Sequence, residues 1–347
     1  MTLRLTRDSY RGISLYAPNR APAEIDLSDN TNLWGIPPEA LRAISDSAPC
    51  TVTRYPGLYA DSLKQAIADY LNVSPDMVVT GCGSDDVLDS TIRAFGEPDD
   101  LIAYPEPSFA MIPIFAKMNG LKEISIPLTA TGDADAAGYI SARAKINYLC
   151  TPNNPTGTSF LAATIEEIIE NTEGVIVIDE AYAEFAAQNC LKLLSVSSRV
   201  VITRTLSKAF GLAGLRIGYA VGDPLMVAEI EKSRGPYKVS GIAQRAAVAA
   251  LTDGRAWVDE HVRMAVANRD RLMACLESIG LKPLRSDSNF ILVPVANAIE
   301  WDRRLRDAGI AVRPFASLPG IGDALRISIG PWQMMEQCAE SLREICK

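Results

Sequence analysis

The sequence predicts an α/β protein with a mostly parallel central sheet covered on both faces, followed by a smaller α+β domain. Short β-branched runs such as 174–179 and 200–203 alternate with helix-length stretches up to about residue 245, the pattern of parallel strands joined by helices. Beyond that point long helical stretches take over and only two strand-like segments remain. The length, 347 residues, exceeds what one ordinary core carries. The expected division is an arm over 1–35 that packs with the small domain, a large domain over 36–245 and a small domain over 246–347.

The elements follow in order. Pro18, Pro22, Gly35, Pro37 and Pro38 punctuate short polar stretches, so the opening segment reads as an irregular arm. In 61–71, Leu63, Ile67 and Leu71 recur at fourfold spacing, which is a helix. Residues 77–80 form a short apolar strand, then Gly81-Cys82-Gly83-Ser84-Asp85 opens a helix over 86–95. Strands are expected at 101–104, 123–126, 146–150, 174–179 and 200–203, with helices at 111–119 and 164–171 between them. The C-terminal part has helices at 246–251, 258–279 and 300–308 and strands at 290–295 and 325–329. In such sheets ligands bind beyond the strands' carboxyl ends, where the polar clusters of this chain fall.

Composition prunes the chemistry. With 48% hydrophobic and 22% charged residues the chain belongs among soluble globular proteins. A net charge of −8 argues against generic nucleic-acid binding, although a local arginine cluster captures anions on an acidic protein. Seven scattered cysteines without C-x-x-C spacing suggest neither a disulfide framework nor a zinc site, and fit a reducing cytosol. Residues 1–12 lack an apolar signal core, and no run approaches the roughly 18 apolar residues of a membrane span. A cytoplasmic protein with no membrane partner is therefore expected. The only histidine, His261, lies in W-V-D-E-H-V and reads as a solvated helix residue, which leaves catalysis to Lys, Asp, Tyr and Arg.

Four segments carry candidate chemistry. In T-L-S-K-A-F-G-L-A-G-L-R-I-G, 205–218, Lys208 follows a buried strand among small, hydroxylated and glycine residues. Partial desolvation there lowers a lysine's pKa and makes an imine-forming amine, while Thr205, Ser207 and Arg216 suit a phosphate. Taken alone, Lys208 reads rather as a snorkelling surface lysine; the company of three further segments reverses that. V-I-V-I-D-E-A-Y, 175–182, ends an apolar strand in Asp179, by itself also an ordinary helix N-cap. T-P-N-N-P-T-G, 151–157, is either a plain Asn-Pro turn or a rigid support that aims an amide at a ligand. Gly81–Asp85 places free N–H groups at a helix start, where a phosphate is favoured, though glycine turns before helices are common.

S-K-A-F-G-L-A-G-L-R-I-G, D-E-A-Y and P-N-N-P-T-G, in this order and spacing, resemble the fold-type I pyridoxal 5'-phosphate (PLP)-dependent aminotransferases of class I and II. Within them the chain is similar to the histidinol-phosphate aminotransferase branch, through Tyr16, D-N-T-N-L-W-G at 29–35, R-Y-P at 54–56, I-R-A-F at 92–95, S-N-F-I-L at 288–292, V-R-P at 312–314 and L-R-I-S-I-G at 325–330. The resemblance spans nearly the whole chain. It implies that Lys208 holds PLP covalently and that Asp179 keeps the pyridine nitrogen protonated, so that the ring acts as an electron sink. Tyr182 and Asn154 would contact the ring oxygen, and Phe109 would stack on the ring. Gly83, Ser84, Asp85, Thr205, Ser207 and Arg216 would surround the phosphate, joined by Tyr55 of the partner subunit in a homodimer with shared active sites. Arg326 would clamp the substrate carboxylate or the corresponding end of the substrate, and Tyr16, Asn32 and Arg313 would serve the rest, though Arg313 also reads as a surface residue before a proline turn.

The arm departs from the family's usual N-E-N-P-x-G, since Thr31 and Leu33 replace Glu and Pro. That change touches the expected substrate side and leaves the cofactor segments intact. The reaction implied is amino transfer from an amino acid or a histidinol-phosphate-like amine to a 2-oxo acid such as 2-oxoglutarate. The nearest alternative is a decarboxylase resembling threonine-phosphate decarboxylase, using the same Lys208 and Asp179. A PLP-binding regulator or a non-enzymatic dimeric scaffold is the alternative of a different class.

Overall fold

The structure is a computed structural model that describes residues 5–15 and 21–347. Its strands are β1 (Ile25–Asp26), β2 (Val78–Cys82), β3 (Leu101–Glu106), β4 (Lys122–Pro127), β5 (Ile146–Cys150), β6 (Val175–Asp179), β7 (Val200–Thr205), β8 (Ile217–Gly222), β9 (Phe290–Pro294), β10 (Ile310–Ala311), β11 (Arg313–Leu318) and β12 (Gly322–Ser328). Seven of them form the central sheet in the order β2-β8-β7-β6-β5-β3-β4, parallel except for β8.

The alternation of side chains along each strand explains why β6 must be apolar throughout. Ile176 and Ile178 enter one core with Leu149 and Ile202, while Val175 and Val177 enter the opposite core with Tyr148 and Ile102. A strand buried on both faces has no solvent side on which a polar residue is tolerated. Asp179 comes where that run ends, opposite Cys150 of β5 and Thr203 of β7. The carboxyl ends of β5, β6 and β7 are thus brought to one edge of the sheet.

β9, β11 and β12 make a second, antiparallel sheet. The arm joins this part of the molecule, because β1 pairs in parallel with β10 and Leu27 accepts the backbone N–H of Ser328 at 2.9 Å. Asp29 and Asn30 are thereby held beside β12. Among the described residues no helix is long and apolar enough to cross a membrane.

The structure differs from the sequence expectation in several places. β8, β11 and helices Pro38–Ser45, Ala136–Ala142, Pro224–Arg234 and Trp332–Cys346 were not anticipated. β8, reading I-G-Y-A-V-G, needs its glycine at 218: a Cβ there would strike the backbone of Gly83 and Ser84, so the position that closes the sheet over the next loop also dilutes the strand signal. His261 lies on the helix Arg255–Glu277 but is half-buried, its ring stacked 3.8 Å from that of Trp257.

Candidate active site

A cavity of about 750 Å³ opens at the carboxyl ends of the parallel strands. Lys208, Asp179, Tyr182, Asn154, Phe109, Ser84, Asp85, Thr205, Ser207, Arg216, Arg313 and Arg326 all line it. Segments far apart in sequence thus share one space, which is the arrangement that four separate motifs anticipated.

At one part of the wall, backbone and hydroxyl donors gather. The helix Ser84–Phe95 begins after Gly83, whose φ of +83° suits glycine. A Cβ on Gly83 would lie 2.5 Å from the Arg216 guanidinium, so glycine leaves room for that cation against the helix start. Arg216 stands 3.4 Å from Asp85, and burial raises the Asp85 carboxyl above its ordinary range while Arg216 opposes it. Thr205 Oγ1 donates to Ser207 Oγ at 3.0 Å and accepts the Ser207 N–H at 3.1 Å. First-turn N–H groups without intrahelical partners, two hydroxyls and a guanidinium make a cradle for a phosphate.

Asp179 is almost fully enclosed, 4% exposed. Its Oδ2 accepts the Tyr148 hydroxyl at 2.9 Å, and its Oδ1 accepts the Ala181 N–H at 3.2 Å and the Thr203 hydroxyl at 3.3 Å. Burial pushes its carboxyl up to about 6, against the Tyr148 hydrogen bond, which lowers it. Such an acid favours a cationic partner. Tyr148 was not singled out in the sequence; its signal is its place in β5, two residues before Cys150, the register partner of Asp179.

Lys208 Nζ donates to the backbone carbonyl of Asp29 at 3.1 Å and lies 5.8 Å from the centre of the Tyr182 ring. Burial first, then the nearby Arg326, lower its amine from 10.5 to about 8. The Tyr182 hydroxyl accepts from Asn30 Nδ2 at 3.1 Å, and burial pushes it up to about 12. Of the two turn asparagines, Asn153 ties the loop to Pro107 and Ser108, whereas Asn154 Oδ1 accepts from Arg326 Nη1 at 2.7 Å. Arg326 Nη2 donates to the Ser28 carbonyl at 2.7 Å, which joins β12 to the arm.

Not every expected residue comes to the cavity. Asn32 is turned aside: its amide donates to Ala209 O at 2.9 Å and its oxygen accepts Trp34 N–H, so Asn30 and Thr31 line the wall in its place. Tyr55 is 84% exposed and its ring lies 4.9 Å from that of Tyr237, on the outside of this chain. Tyr16 lies outside the described residues. Asp29, Asn30, Ser108, Cys150 and Phe315 are wall residues without a separate signal of their own in the sequence.

The family profile for aminotransferases of class I and II matches residues 22–342. The chain belongs to this family. This aminotransferase is 32% identical to the histidinol-phosphate aminotransferase of Caldanaerobacter subterraneus subsp. tengcongensis, over 99% of each chain. It is 36% identical to that of Geotalea uraniireducens, over 95% of each. The solved structure of histidinol-phosphate aminotransferase from Sinorhizobium meliloti in complex with pyridoxal-5'-phosphate matches with a TM-score of 0.88 at 26% identity, covering 99% of this chain and 98% of that one. An aspartate aminotransferase from Thermus thermophilus shares the fold, with a TM-score of 0.80 at 20% identity over 93% of this chain and 92% of that one. The resemblance read from the motifs is borne out: this is a PLP-dependent aminotransferase of fold type I.

The cavity fits that cofactor on its own terms, with a phosphate cradle, a buried acid and a lysine amine lining one space. A pH prediction follows from the amine. The neutral amine is the nucleophile, and its fraction rises with pH until the group's pKa is passed. Cofactor uptake by the cofactor-free protein, followed by the growth of visible absorbance, should therefore accelerate about tenfold per pH unit below about 8 and level off above it. A rate still climbing steeply at pH 10 would show a lysine at its ordinary value.

Proposed function

We propose that this aminotransferase takes an amino group from a histidinol-phosphate-like donor, an amine carrying an anionic distal end, and passes it to a 2-oxo acid such as 2-oxoglutarate. It would act in the cytoplasm as a homodimer, with Tyr55 of the partner subunit reaching the cofactor phosphate. The division into an arm over 1–35, a large domain over 36–245 and a small one over 246–347 belongs to the same proposal. The observation that carries the reading is a lysine amine lowered to about 8 lining one cavity with a buried acid and three arginines.

When bound, PLP supplies an aldehyde for the lysine and a protonated pyridine ring that withdraws electrons from the substrate Cα. Lys208 would hold it and, with its amine free, would move a proton at the substrate's Cα. An amine near 8 is neutral often enough at physiological pH to accept that proton and charged often enough to return it. Asp179, positioned by Tyr148 and Thr203, would meet the pyridine nitrogen. Tyr182, kept as a hydroxyl by its burial, and Asn154 would meet the ring oxygen, and Phe109 would pack on the ring. Gly83, Ser84, Asp85, Thr205, Ser207 and Arg216 would hold the phosphate. Arg326 takes the carboxylate of the 2-oxo acid in a bidentate pair, and Arg313 takes the far anionic end, the donor's phosphate or the second carboxylate of 2-oxoglutarate, with Tyr16 as a further contact.

A panel of histidinol phosphate, aromatic amino acids and phosphothreonine tests the donor. Histidinol phosphate should discharge the visible band of the lysine-bound cofactor fastest. Faster conversion of an aromatic amino acid would overturn the donor assignment. CO2 release from phosphothreonine would revive the decarboxylase alternative, which the aminotransferase relatives do not favour.

A further inference from the structure

Among the described residues three guanidinium groups line the cavity, and each is met by oxygens of this chain. Arg216 faces Asp85 at 3.4 Å, and Arg326 donates to Asn154 and to the carbonyl of Ser28. Arg313 lies 3.6 Å from the carboxylate of Asp29. Cofactor phosphate and substrate carboxylate account for the first two cations under the proposed reading. The acid facing the third has no assigned purpose.

Asp29 comes from the arm and Arg313 from β11, so the pair joins two distant segments at the cavity wall, beside Phe315. Both side chains stay partly open, 22% and 19% exposed. The separation exceeds the roughly 2.7–2.9 Å of a tight charge-assisted hydrogen bond, so the pair is a loose one. Asp29 also reaches the reaction centre electrostatically, since its charge raises the Lys208 amine.

We propose that Asp29 is a specificity-determining residue, whose carboxylate partly neutralises Arg313 and so penalises substrates that carry an anionic distal group. The inference rests on the reading of Arg313 as the distal-anion contact. An anion arriving at Arg313 must share it with Asp29 and is repelled by that carboxylate. A substrate with an uncharged distal end meets the pair as a near-neutral dipole and suffers no such penalty. Specificity is the difference between these two affinities, and Asp29 sets it without touching the reacting bond.

The test uses two acceptors, 2-oxoglutarate and 2-oxopentanoate, which differ only by a carboxylate in place of a methyl group. Their second-order rate constants with the pyridoxamine form of the holoenzyme are compared as a ratio. Both acceptors need Lys208 equally, so whatever the lost Asp29 charge does to the lysine cancels. In Asp29→Asn the ratio should rise about fivefold in favour of 2-oxoglutarate, the effect of a partly exposed ion pair. It should fall in Arg313→Gln, and adding Asp29→Asn to that variant should not restore it. Asp29→Ser supplies the same reading if the amide variant does not fold. A ratio that Arg313→Gln lowers but neither Asp29 variant raises overturns this inference and leaves Arg313 in its assigned role. A ratio indifferent to Arg313→Gln overturns both.

Discussion

Lys208→Ala should abolish the visible band of the lysine-bound cofactor and lower kcat by about 10⁴-fold, because it removes the covalent holder and the proton carrier together. The phosphate cradle does not depend on this side chain: Arg216 is set by Asp85 and Gly83, and Thr205 and Ser207 by their mutual hydrogen bonds. The variant should therefore still bind PLP, as a free aldehyde. Lys208→Arg should be equally inactive, since a guanidinium retains the charge but offers no neutral amine at any working pH. Absorbance and turnover separate this outcome from misfolding, because a folded variant takes up cofactor without gaining the band. A normal band together with normal turnover in Lys208→Ala would remove the amine from the mechanism.

The central sheet was legible because its signal is local. Val and Ile runs of strand length alternate with helices, and β5 and helices Asp61–Leu71 and Met111–Asn119 lie where periodicity predicts. β8 was not, since Gly218 and Gly222 serve neighbours rather than the strand. One proline misled: Pro38 occupies the first turn of the helix Pro38–Ser45, where a missing N–H costs nothing, yet it reads as punctuation when only the loop preference is considered.

In the site, residues fixed by a strand end or a glycine-rich turn were accessible to sequence reasoning. The arm was not. Asn30 and Asn32 flank Thr31 and are chemically identical, and nothing local decides which faces the cavity. Asn30 is selected by Tyr182, Ser328 and Asn289, and Asn32 by Ala209 and the N–H of Trp34. Apart from Trp34, two residues on, those partners lie far along the chain, so it is the fold that makes the choice. The same holds for Tyr148, an apolar-looking member of β5 whose hydroxyl meets an acid on the next strand.

Asp179→Asn should act with opposite sign on catalysis and on the stability of the cofactor-free protein. In catalysis it removes the carboxylate proposed to keep the pyridine nitrogen protonated, and a loss of about 10² to 10³ in kcat/KM is expected, the scale of a preorganised electrostatic contact. Stability goes the other way. Burial holds the native Asp179 near 6, above its ordinary 3.8, so between these values the folded state binds more protons than the unfolded one. Stability then falls as pH rises from about 4 to about 6 and stays at the lower level beyond. The penalty at neutral pH is on the order of 3 kcal/mol, and a neutral side chain escapes it. The amide can present its NH2 to Tyr148, whose hydroxyl rotates to accept, while its oxygen keeps the N–H of Ala181 and the hydroxyl of Thr203. Thermal unfolding of the cofactor-free Asn variant at pH 7.5 should therefore occur above that of the parent, with the gain vanishing near pH 4. In the cofactor-loaded proteins the order should reverse, because the parent recovers the cost of its buried charge through the cationic ring. A cofactor-free variant less stable than the parent at pH 7.5 would mean that the Asp179 carboxylate is already compensated by its own hydrogen bonds, and that no cationic partner is required of the cavity.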